Sequence, residues 1–320
     1  SCPGAGVESA ADAACDVLVV SPGIDTYGPL VGAFSKHAGE VIGEVELASR
    51  FHEGRVIAIT GTNGKTTTTE LVERNLRSAG VNAVACGKYG VPVCEVVMRD
   101  PAPEVLVLEA SSFQLETIVE FRPDVAVWLN FAPDHMDRYP DLDSYRKAKL
   151  RVFENQTADD VAVVRTGQDL PRLKARIVGF SSDDAQADWY SDGRVLCHRG
   201  EVVFDLEEGS HLRGLHNAEN AMAAVAACEA LGVGREQWQA AFDGYAPPRH
   251  RCELVRTLDG VEYLNDSKAT NLHALASALR SQDRPLVLIA GGKEKGLDYR
   301  PLVPLLREHA LAVVLSLIHI

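Results

Sequence analysis

The chain lacks any apolar run long enough to cross a membrane. Hydrophobic residues make up 46% of its 320 residues, but no window approaches the roughly 18 consecutive apolar residues of a transmembrane helix. The opening stretch SCPGAGVESAADAACD also lacks the basic and apolar regions of a secretory signal. We therefore predict a soluble protein of the cytoplasm.

Paired cysteines and an excess of basic charge are missing as well. Seven cysteines are scattered along the chain and form no CxxC pair, which favours reduced core thiols over disulfides or a zinc site. The net charge of −13 and a pI near 5.2 argue against a general binder of nucleic acid or anionic membranes. If the chain binds an anion, attraction must come from the few basic residues at that site and not from the charge of the whole protein.

Short apolar runs alternate with helical patterns over the first half of the chain, which predicts an α/β fold with a parallel sheet and crossover helices. Residues 160–213 change to short strands and turns, expected at the edge of the same domain. Alanine-rich and amphipathic helices follow, and the prolines near residue 247 predict a domain boundary. The predicted buried strands are DVLVV (16–20), VIAIT (56–60), EVLVLEA (104–110) and DVAVWLN (124–130).

Beyond that boundary, CELVRTLDGVEYLND predicts a hairpin around Asp259 and Gly260. Another α/β pattern follows, and it is short for a complete domain. The first strand also lacks a complete sheet around it. We therefore expect partial domains at both ends: an N-terminal domain over 1–50, a central domain over 51–247 and a C-terminal domain over 248–320.

The stretch VIAITGTNGKTTTTE (56–70) predicts a strand, a glycine-bounded turn and a helix. Two residues separate its glycines, so the loop is shorter than the usual G-x-x-x-x-G-K-[ST] form. The physical logic is the same: backbone N–H groups and a helix N-terminus attract phosphate, Lys65 reaches the terminal phosphates and Thr66 can hold Mg²⁺. A plain strand-to-helix turn is the alternative.

GTNGKTT (61–67) resembles the ATP loop of the Mur ligase family, and further motifs of that family follow in order. NDSKATN, with SPGI and SSFQLET, is most similar to the members that add glutamate to UDP-N-acetylmuramoyl-L-alanine in peptidoglycan precursor synthesis. The matching stretches are EASSFQLET (109–117), NFAPDHMDRY (130–139), YRKAKLRVFEN (145–155), HNAENAMAA (216–224), HR (250–251) and NDSKATN (265–271).

The resemblance implies a three-domain architecture, with a central P-loop sheet between incomplete Rossmann-like terminal domains, and an ADP-forming amide ligase that acts through an acyl phosphate. It implies small-molecule substrates (ATP, UDP-N-acetylmuramoyl-L-alanine and D-glutamate), two Mg²⁺ ions and a monomer. Lys65, His135 and Lys149 are the expected catalytic residues, with Lys149 converted by CO₂ to a carbamate. The expected metal ligands are Thr66, Glu109, His135 and Lys149.

The resemblance also implies binding residues in all three parts of the chain. For ATP we expect Gly61, Thr62, Asn63, Gly64, Lys65, Thr66, Thr67, Asn217, Asn220, Arg251 and Asp266. For the other substrates we expect Ser112, Gln114, Lys268, Thr270 and Lys295.

The residues alone allow other readings at four of these positions. Glu109 ends a predicted strand, but a helix-capping or solvated glutamate is the alternative. His135 is an uncommon type of Mg²⁺ ligand, and spacing alone favours an ordinary loop histidine. Lys149 lies among basic residues that are typical of a solvated helix face. Asn217 stands where it could cap a helix.

Two positions depart from the family pattern. Lys88 in CGKYG (86–90) replaces an asparagine that would contact substrate, and Lys293 in GGKEK stands where aspartate is more usual. The alternatives are another Mur-type or folylpolyglutamate ligase, and a nucleotide-binding fragment without complete ligase activity.

Overall fold

The computed structural model describes residues 14–282, 284–292 and 298–316. Within these residues no helix is long and apolar enough to span a membrane. The predicted contact Lys295 and the departure Lys293 lie outside the described residues.

The strands, numbered in chain order, are β1 Cys15–Val20, β2 Ala38–Gly43, β3 Arg55–Thr60, β4 Ala83–Gly87, β5 Val105–Glu109, β6 Val125–Trp128, β7 Val161–Arg165, β8 Arg176–Ser181, β9 Trp189–Ser191, β10 Val195–His198, β11 Glu201–Asp205, β12 Glu253–Leu258, β13 Val261–Asn265, β14 Leu286–Gly291 and β15 Ala310–Ser316. The helices are α1 Pro29–Ser35, α2 Glu44–Ser49, α3 Lys65–Ser78, α4 Val93–Val97, α5 Ser112–Leu115, α6 Leu142–Leu150, α7 Leu206–Gly209, α8 Leu215–Ala230, α9 Arg235–Phe242, α10 Leu272–Arg280 and α11 Val303–His309.

Between residues 55 and 205, a stretch described throughout, nine strands form one sheet in the order β11-β10-β9-β8-β7-β6-β3-β5-β4. Neighbours from β4 to β9 pair in parallel, and β9, β10 and β11 pair antiparallel. The predicted α/β class is confirmed, as is the expectation that the strands after residue 160 extend the same sheet. Because β3 is central, the turn that follows it lies at the crevice where open α/β sheets bind ligands.

Helices cover both faces of this sheet. On one face α3 and α8 pack together over the central strands, and every residue of α8 from Asn220 to Cys228 is buried. On the other face α2, α4 and α5 contribute to a second apolar cluster with the 3-10 turn that follows α6. Strands buried on both faces read as continuous apolar runs rather than alternating ones, which is why their sequence signal is strong.

In the part of the chain that the structure describes, three two-stranded sheets lie outside the central one: β1 with β2, β12 with β13, and β14 with β15. The predicted hairpin is present, and Asp259 and Gly260 form its two-residue turn with φ values of 52° and 77°. Positive φ at both turn residues is what a type I′ hairpin requires. The domain bounds at 50 and 247 stay predictions.

Candidate nucleotide and metal site

The loop between β3 and α3 is held in a shape that needs glycine. Gly64 immediately precedes α3 with φ of 85°, a left-handed conformation that costs other residues energy. A Cβ at Gly64 would also overlap the side-chain oxygen of Asn220. Asn220 is buried on α8, so the second wall of the loop comes from a helix more than 150 residues further along the chain.

Asn130 fixes the same loop from the end of β6. Its Oδ1 accepts from the backbone N–H of Asn63 at 2.9 Å, and its Nδ2 donates to the Asn63 carbonyl at 3.1 Å. The Thr62 hydroxyl accepts from the Ala132 N–H at 3.0 Å and lies 3.1 Å from the Ala132 carbonyl oxygen. Preorganised backbone N–H groups at a helix N-terminus form an anion site.

Two buried lysines converge on this loop. Lys65 Nζ donates to the carbonyls of Gly61 at 2.8 Å and Thr62 at 2.9 Å, and Lys149 Nζ donates to the same Gly61 carbonyl at 2.9 Å. Burial, with the charge of Lys88 as the next cause, lowers the pKa of Lys65 to about 8. Burial and then the charge of Lys65 lower the pKa of Lys149 well below its usual value. Both effects favour the neutral amine at Lys149.

The solvated-face alternative is wrong for Lys149, although it fits its neighbours. Lys149 is 2% exposed, whereas Lys147 is an exposed partner of Asp143 at 2.7 Å. Arg146 pairs with Asp169. The helix therefore has a basic outer face, and Lys149 points the other way.

Glu109 ends β5 and is buried at 4% exposure, so the solvated alternative is wrong here too. Its Oε2 accepts from the Thr66 hydroxyl at 2.9 Å. The Thr66 oxygen in turn accepts from Arg251 Nη2 at 3.0 Å. The structure thus brings together two expected metal ligands, Thr66 and Glu109, and the expected ATP contact Arg251.

His135 lies in a tight turn with φ of 56°. Its backbone N–H donates to its neighbour Asp134 at 2.9 Å. Its ring packs edge-on against Phe113 and Tyr145, and Lys149 Nζ lies 4.9 Å from the centre of the same Tyr145 ring. His135 and Lys149 therefore share an aromatic neighbour, on the same side of the domain.

Oxygen ligands suit Mg²⁺, and the Thr66 hydroxyl beside the Glu109 carboxylate is a pair of that kind. Among the described residues no group of three or more His, Cys, Asp or Glu side chains is placed to hold a metal ion. The protein residues therefore fit Mg²⁺ only as a partial set. That is the usual Mg²⁺ arrangement, in which phosphates and water complete the coordination.

Asn217 does not cap α8. The N-cap residue is Gly214, and Asn217 lies within the first turn with its Nδ2 donating to the Arg213 carbonyl at 2.9 Å. Its Oδ1 lies 3.5 Å from Nδ2 of Asn220. The capping alternative is therefore wrong, and the two asparagines are neighbours beside the loop.

The remaining expected contacts of the C-terminal part are arranged less closely around the loop. Asp266 accepts from the Cys252 N–H at 3.1 Å, and burial raises the pKa of Asp266. Lys268 is exposed and is bonded through its backbone to His250. Thr270 is exposed. The structure therefore places Asp266 within its own segment rather than on the loop.

A cavity of about 540 Å³ opens between the segment Ser21–Gly23 and the ends of β4 and β5. Lys88 and Gln114 line it, whereas Ser112 is buried at 2% exposure and is not among the lining residues. Gln114 also completes a capping box with Ser111 at the start of α5. Of the two expected contacts, Gln114 is the one in position.

Sequence reasoning missed Asn271. It is buried at 6% exposure and bonds to Asn63 in the loop and to Asp134. Asn271 is the last residue of the motif NDSKATN, which gave it no role of its own. An asparagine directly before an amphipathic helix predicts an N-cap but no contact with the loop.

Known proteins resemble this chain in sequence and in fold. A profile of the Mur ligase middle domain matches residues 59–228. The UDP-N-acetylmuramoylalanine--D-glutamate ligase of Trichlorobacter lovleyi is 42% identical over 310 residues, which cover 94% of this chain and 69% of the relative. The enzyme of the same name from Pelotomaculum thermopropionicum is 40% identical over 98% of this chain and 70% of its own length.

Solved structures agree on the fold. The MurF ligase of Thermotoga maritima in complex with ADP has a TM-score of 0.66 at 16% identity, covering 93% of this chain and 84% of that one. The UDP-N-acetylmuramate-alanine ligase MurC of the same organism has a TM-score of 0.63 at 18% identity, covering 94% of this chain and 71% of that one. The profile match and the two relatives establish that the chain belongs to the Mur ligase family.

Proposed function

We propose that this chain is an ATP-dependent ligase that adds D-glutamate to UDP-N-acetylmuramoyl-L-alanine, an ADP-forming step of peptidoglycan precursor synthesis in the cytoplasm. The observation that carries the proposal is the 42% identity over 94% of the chain with a relative of that name. The site geometry supports it, because two buried lysines and a hydroxyl–carboxylate pair converge on a phosphate loop. We also propose that it acts as a monomer.

The chemistry has two steps. An oxygen of the alanyl carboxylate attacks the γ-phosphorus of ATP, and the bond to the β–γ bridging oxygen breaks with its electron pair leaving on ADP. The amine of glutamate then attacks the acyl carbon of the acyl phosphate, the carbon–oxygen bond breaks, and phosphate leaves. The amine loses a proton as the amide forms. Several anionic groups must therefore be neutralised and aligned.

The loop and its neighbours do the phosphate part of this work. The backbone N–H groups of the loop bind phosphate oxygens, and Lys65 supplies a cation beside them. Arg251 adds a second cation through its position on Thr66. The proposed ATP contacts are Gly61, Thr62, Asn63, Gly64, Lys65, Thr66, Thr67, Asn217, Asn220, Arg251 and Asp266.

Thr66 and Glu109 would hold one Mg²⁺, and His135 with a carbamate of Lys149 would hold a second. Bound Mg²⁺ screens the phosphate charge during transfer. Lys149 supports this role because it is buried, bonded through Nζ to Gly61, and has a lowered pKa. A neutral amine attacks CO₂ through its lone pair and loses a proton, which replaces a cation by an anion that can bind metal.

The substrate carboxylates are expected around the cavity and the C-terminal part. Gln114 and Lys88 line the cavity and face the muramoyl substrate. The proposed contacts for the two non-nucleotide substrates are Ser112, Gln114, Lys268, Thr270 and Lys295.

Phosphate release measured with ATP, Mg²⁺ and UDP-N-acetylmuramoyl-L-alanine tests the proposal. D-glutamate is expected to give at least about tenfold more phosphate than L-glutamate, lysine-type amino acids or a folate substrate. Lys147→Met is a matched control for Lys149→Met, since both lysines are on α6 and only Lys149 is buried. Release with a different amino acid would assign another Mur-type reaction. ATP binding without release under any combination would assign a nucleotide-binding role.

A further inference from the structure

The side-chain amide of Asn271 lies where three segments of the chain meet. Asn271 directly precedes α10 and is buried. Its Oδ1 accepts from the backbone N–H of Ala274 at 2.9 Å, which is the helix-capping bond. Serine, threonine or aspartate would provide that bond equally well, so capping alone does not require an asparagine.

The other bonds of this amide leave its own segment. Nδ2 donates to Asn63 Oδ1 at 3.0 Å and to Asp134 Oδ2 at 3.2 Å, and Asn63 Nδ2 donates back to Asn271 Oδ1 at 3.3 Å. A primary amide offers two N–H donors and two acceptor lone pairs. All four are used at Asn271, and three of the four bonds go to groups more than 130 positions away in the chain.

Both distant partners belong to the proposed machinery. Asn63 is in the phosphate loop, and Asp134 precedes His135, whose N–H donates to the other carboxylate oxygen of Asp134 at 2.9 Å. The stretch that ends at Asn271 also carries Lys268 and Thr270. The amide therefore links the loop, the turn of His135 and the C-terminal part at one buried point.

We infer that Asn271 is a positioning residue that makes the geometry of the phosphate loop and of the His135 turn depend on the docking of the C-terminal part. This inference rests on the proposed function. Asn271 touches no reacting atom. It acts by holding Asn63 and Asp134 in one arrangement when segment 248–282 is in place. Buried and fully satisfied polar networks fix a single arrangement, and a misplacement near 1 Å can cost about 100-fold in rate.

Asn271→Asp separates this role from capping, because aspartate still accepts from Ala274 but loses both N–H donors. It also sets a second carboxylate against Asp134. We expect kcat for phosphate release to fall roughly 10- to 100-fold while the KM for ATP changes less than about threefold. In the nucleotide-free 320-residue chain, amide hydrogen exchange should rise at residues 61–66 and 130–135, with Ala274 still protected.

Asn82→Asp is the matched control, since it makes the same amide-to-carboxylate change at an exposed site whose side-chain amide has one bond, 3.3 Å to Ala102. It should leave kcat and loop exchange unchanged. Wild-type kcat and loop protection in Asn271→Asp would overturn the inference, as would loss of Ala274 protection together with a fall in thermal stability. A wild-type chain that releases no phosphate would defeat the proposed function, whereas the exchange comparison between the two variants would still decide the inference.

Discussion

Lys65 and Lys149 donate hydrogen bonds to the same acceptor, the carbonyl oxygen of Gly61, at 2.8 and 2.9 Å. Two ammonium groups at one carbonyl repel each other, and burial removes the water that would screen them. Burial and then the charge of Lys65 lower the pKa of Lys149, and burial also lowers the pKa of Lys65. The Gly61 carbonyl thus holds one cation for phosphate beside an amine that can lose its proton.

Lys149 is therefore expected to carry a carbamate. CO₂ reacts only with the neutral amine, and the lowered pKa favours that form. With ¹³C-labelled bicarbonate at pH 7–8, a carbamate carbon signal should appear in the wild-type chain and in Lys147→Met, and be absent from Lys149→Met. Acidification should remove the signal, because protonation of the amine favours release of CO₂.

Activity should follow the same modification. Lys149→Met is expected to lower kcat by roughly 10²–10³-fold, the typical cost of losing one preorganised electrostatic group. In buffer free of CO₂, where Lys149 is an unmodified amine, the same change should raise the free energy of unfolding by about 1 kcal/mol, since it removes an amine that is costly to bury. Thermal unfolding measures the second effect. An inactive variant that is also destabilised would point to a packing defect instead.

Lys88, which lines the cavity, is predicted to lower the pKa values of the Lys65 and Lys149 amines. Its positive charge is a cause of the lowered pKa of Lys65 and of Lys149. Lys88→Asn removes that charge, so the protonated form of Lys65 is stabilised and its pKa should move upward from about 8. NMR titration of ¹³Cε-labelled lysine, assigned with Lys65→Met, measures the shift. A pKa that stays in place or moves downward would show that the Lys88 charge is screened by solvent.

Gly64 provides a prediction about the loop itself. Gly64→Ala should cost about 1–2 kcal/mol for its left-handed backbone, and more because the new Cβ overlaps Asn220. Gly80→Ala is a matched control: its φ is 81°, and nothing lies within 4 Å of the Cβ position. Chemical denaturation should show a larger loss at Gly64 than at Gly80. In the double variant with Asn220→Ala, the stability lost through the overlap should return, while the cost of the left-handed backbone remains. Equal stability losses in Gly64→Ala and Gly80→Ala would show that the overlap with Asn220 has no energetic effect.

The fold and the loop were predictable because their signals are local. Strands such as β3 and β6 are continuous apolar runs, and the glycine-bounded turn after β3 carries its chemistry in adjacent residues. The strand β4 was missed, since AVACG is short and of mixed character. The burial of Lys149 was not visible among Arg146 and Lys147, because side-chain direction on a short helix depends on what packs against it.

Contacts between segments that are far apart in the sequence leave no local signal and could not be predicted. Asn220 forms a wall of the loop and Asn271 bonds to Asn63, yet both read from the sequence as ordinary residues at the start of a helix. Family resemblance supplied Asn220 as a nucleotide contact. Asn271 is the last residue of the motif NDSKATN, where it was assigned no role of its own, and its capping signal describes one of its four bonds.

Substitution of Asn217 distinguishes a helix-capping role of this residue from a nucleotide-binding role. A true N-cap such as Asp141, which accepts from Ser144 at 2.7 Å, should lose about 1 kcal/mol on change to alanine. Asn217 lies within the first turn of α8, whose N-cap is Gly214. Asn217→Ala should therefore cost no more than about 0.5 kcal/mol in unfolding free energy.

If Asn217 contacts the nucleotide as proposed, the same variant should weaken ATP binding roughly tenfold, the equivalent of one hydrogen bond of about 1.4 kcal/mol. Calorimetric titration with ATP and Mg²⁺, beside thermal unfolding of Asn217→Ala and Asp141→Ala, measures both quantities. If Asn217→Ala loses as much stability as Asp141→Ala and its ATP affinity is unchanged, the role of Asn217 is structural and it does not contact the nucleotide. Because Asn217 is the neighbour of Asn220, and Asn220 forms a wall of the loop at Gly64, the expected loss in affinity would also place the nucleotide on this side of the loop.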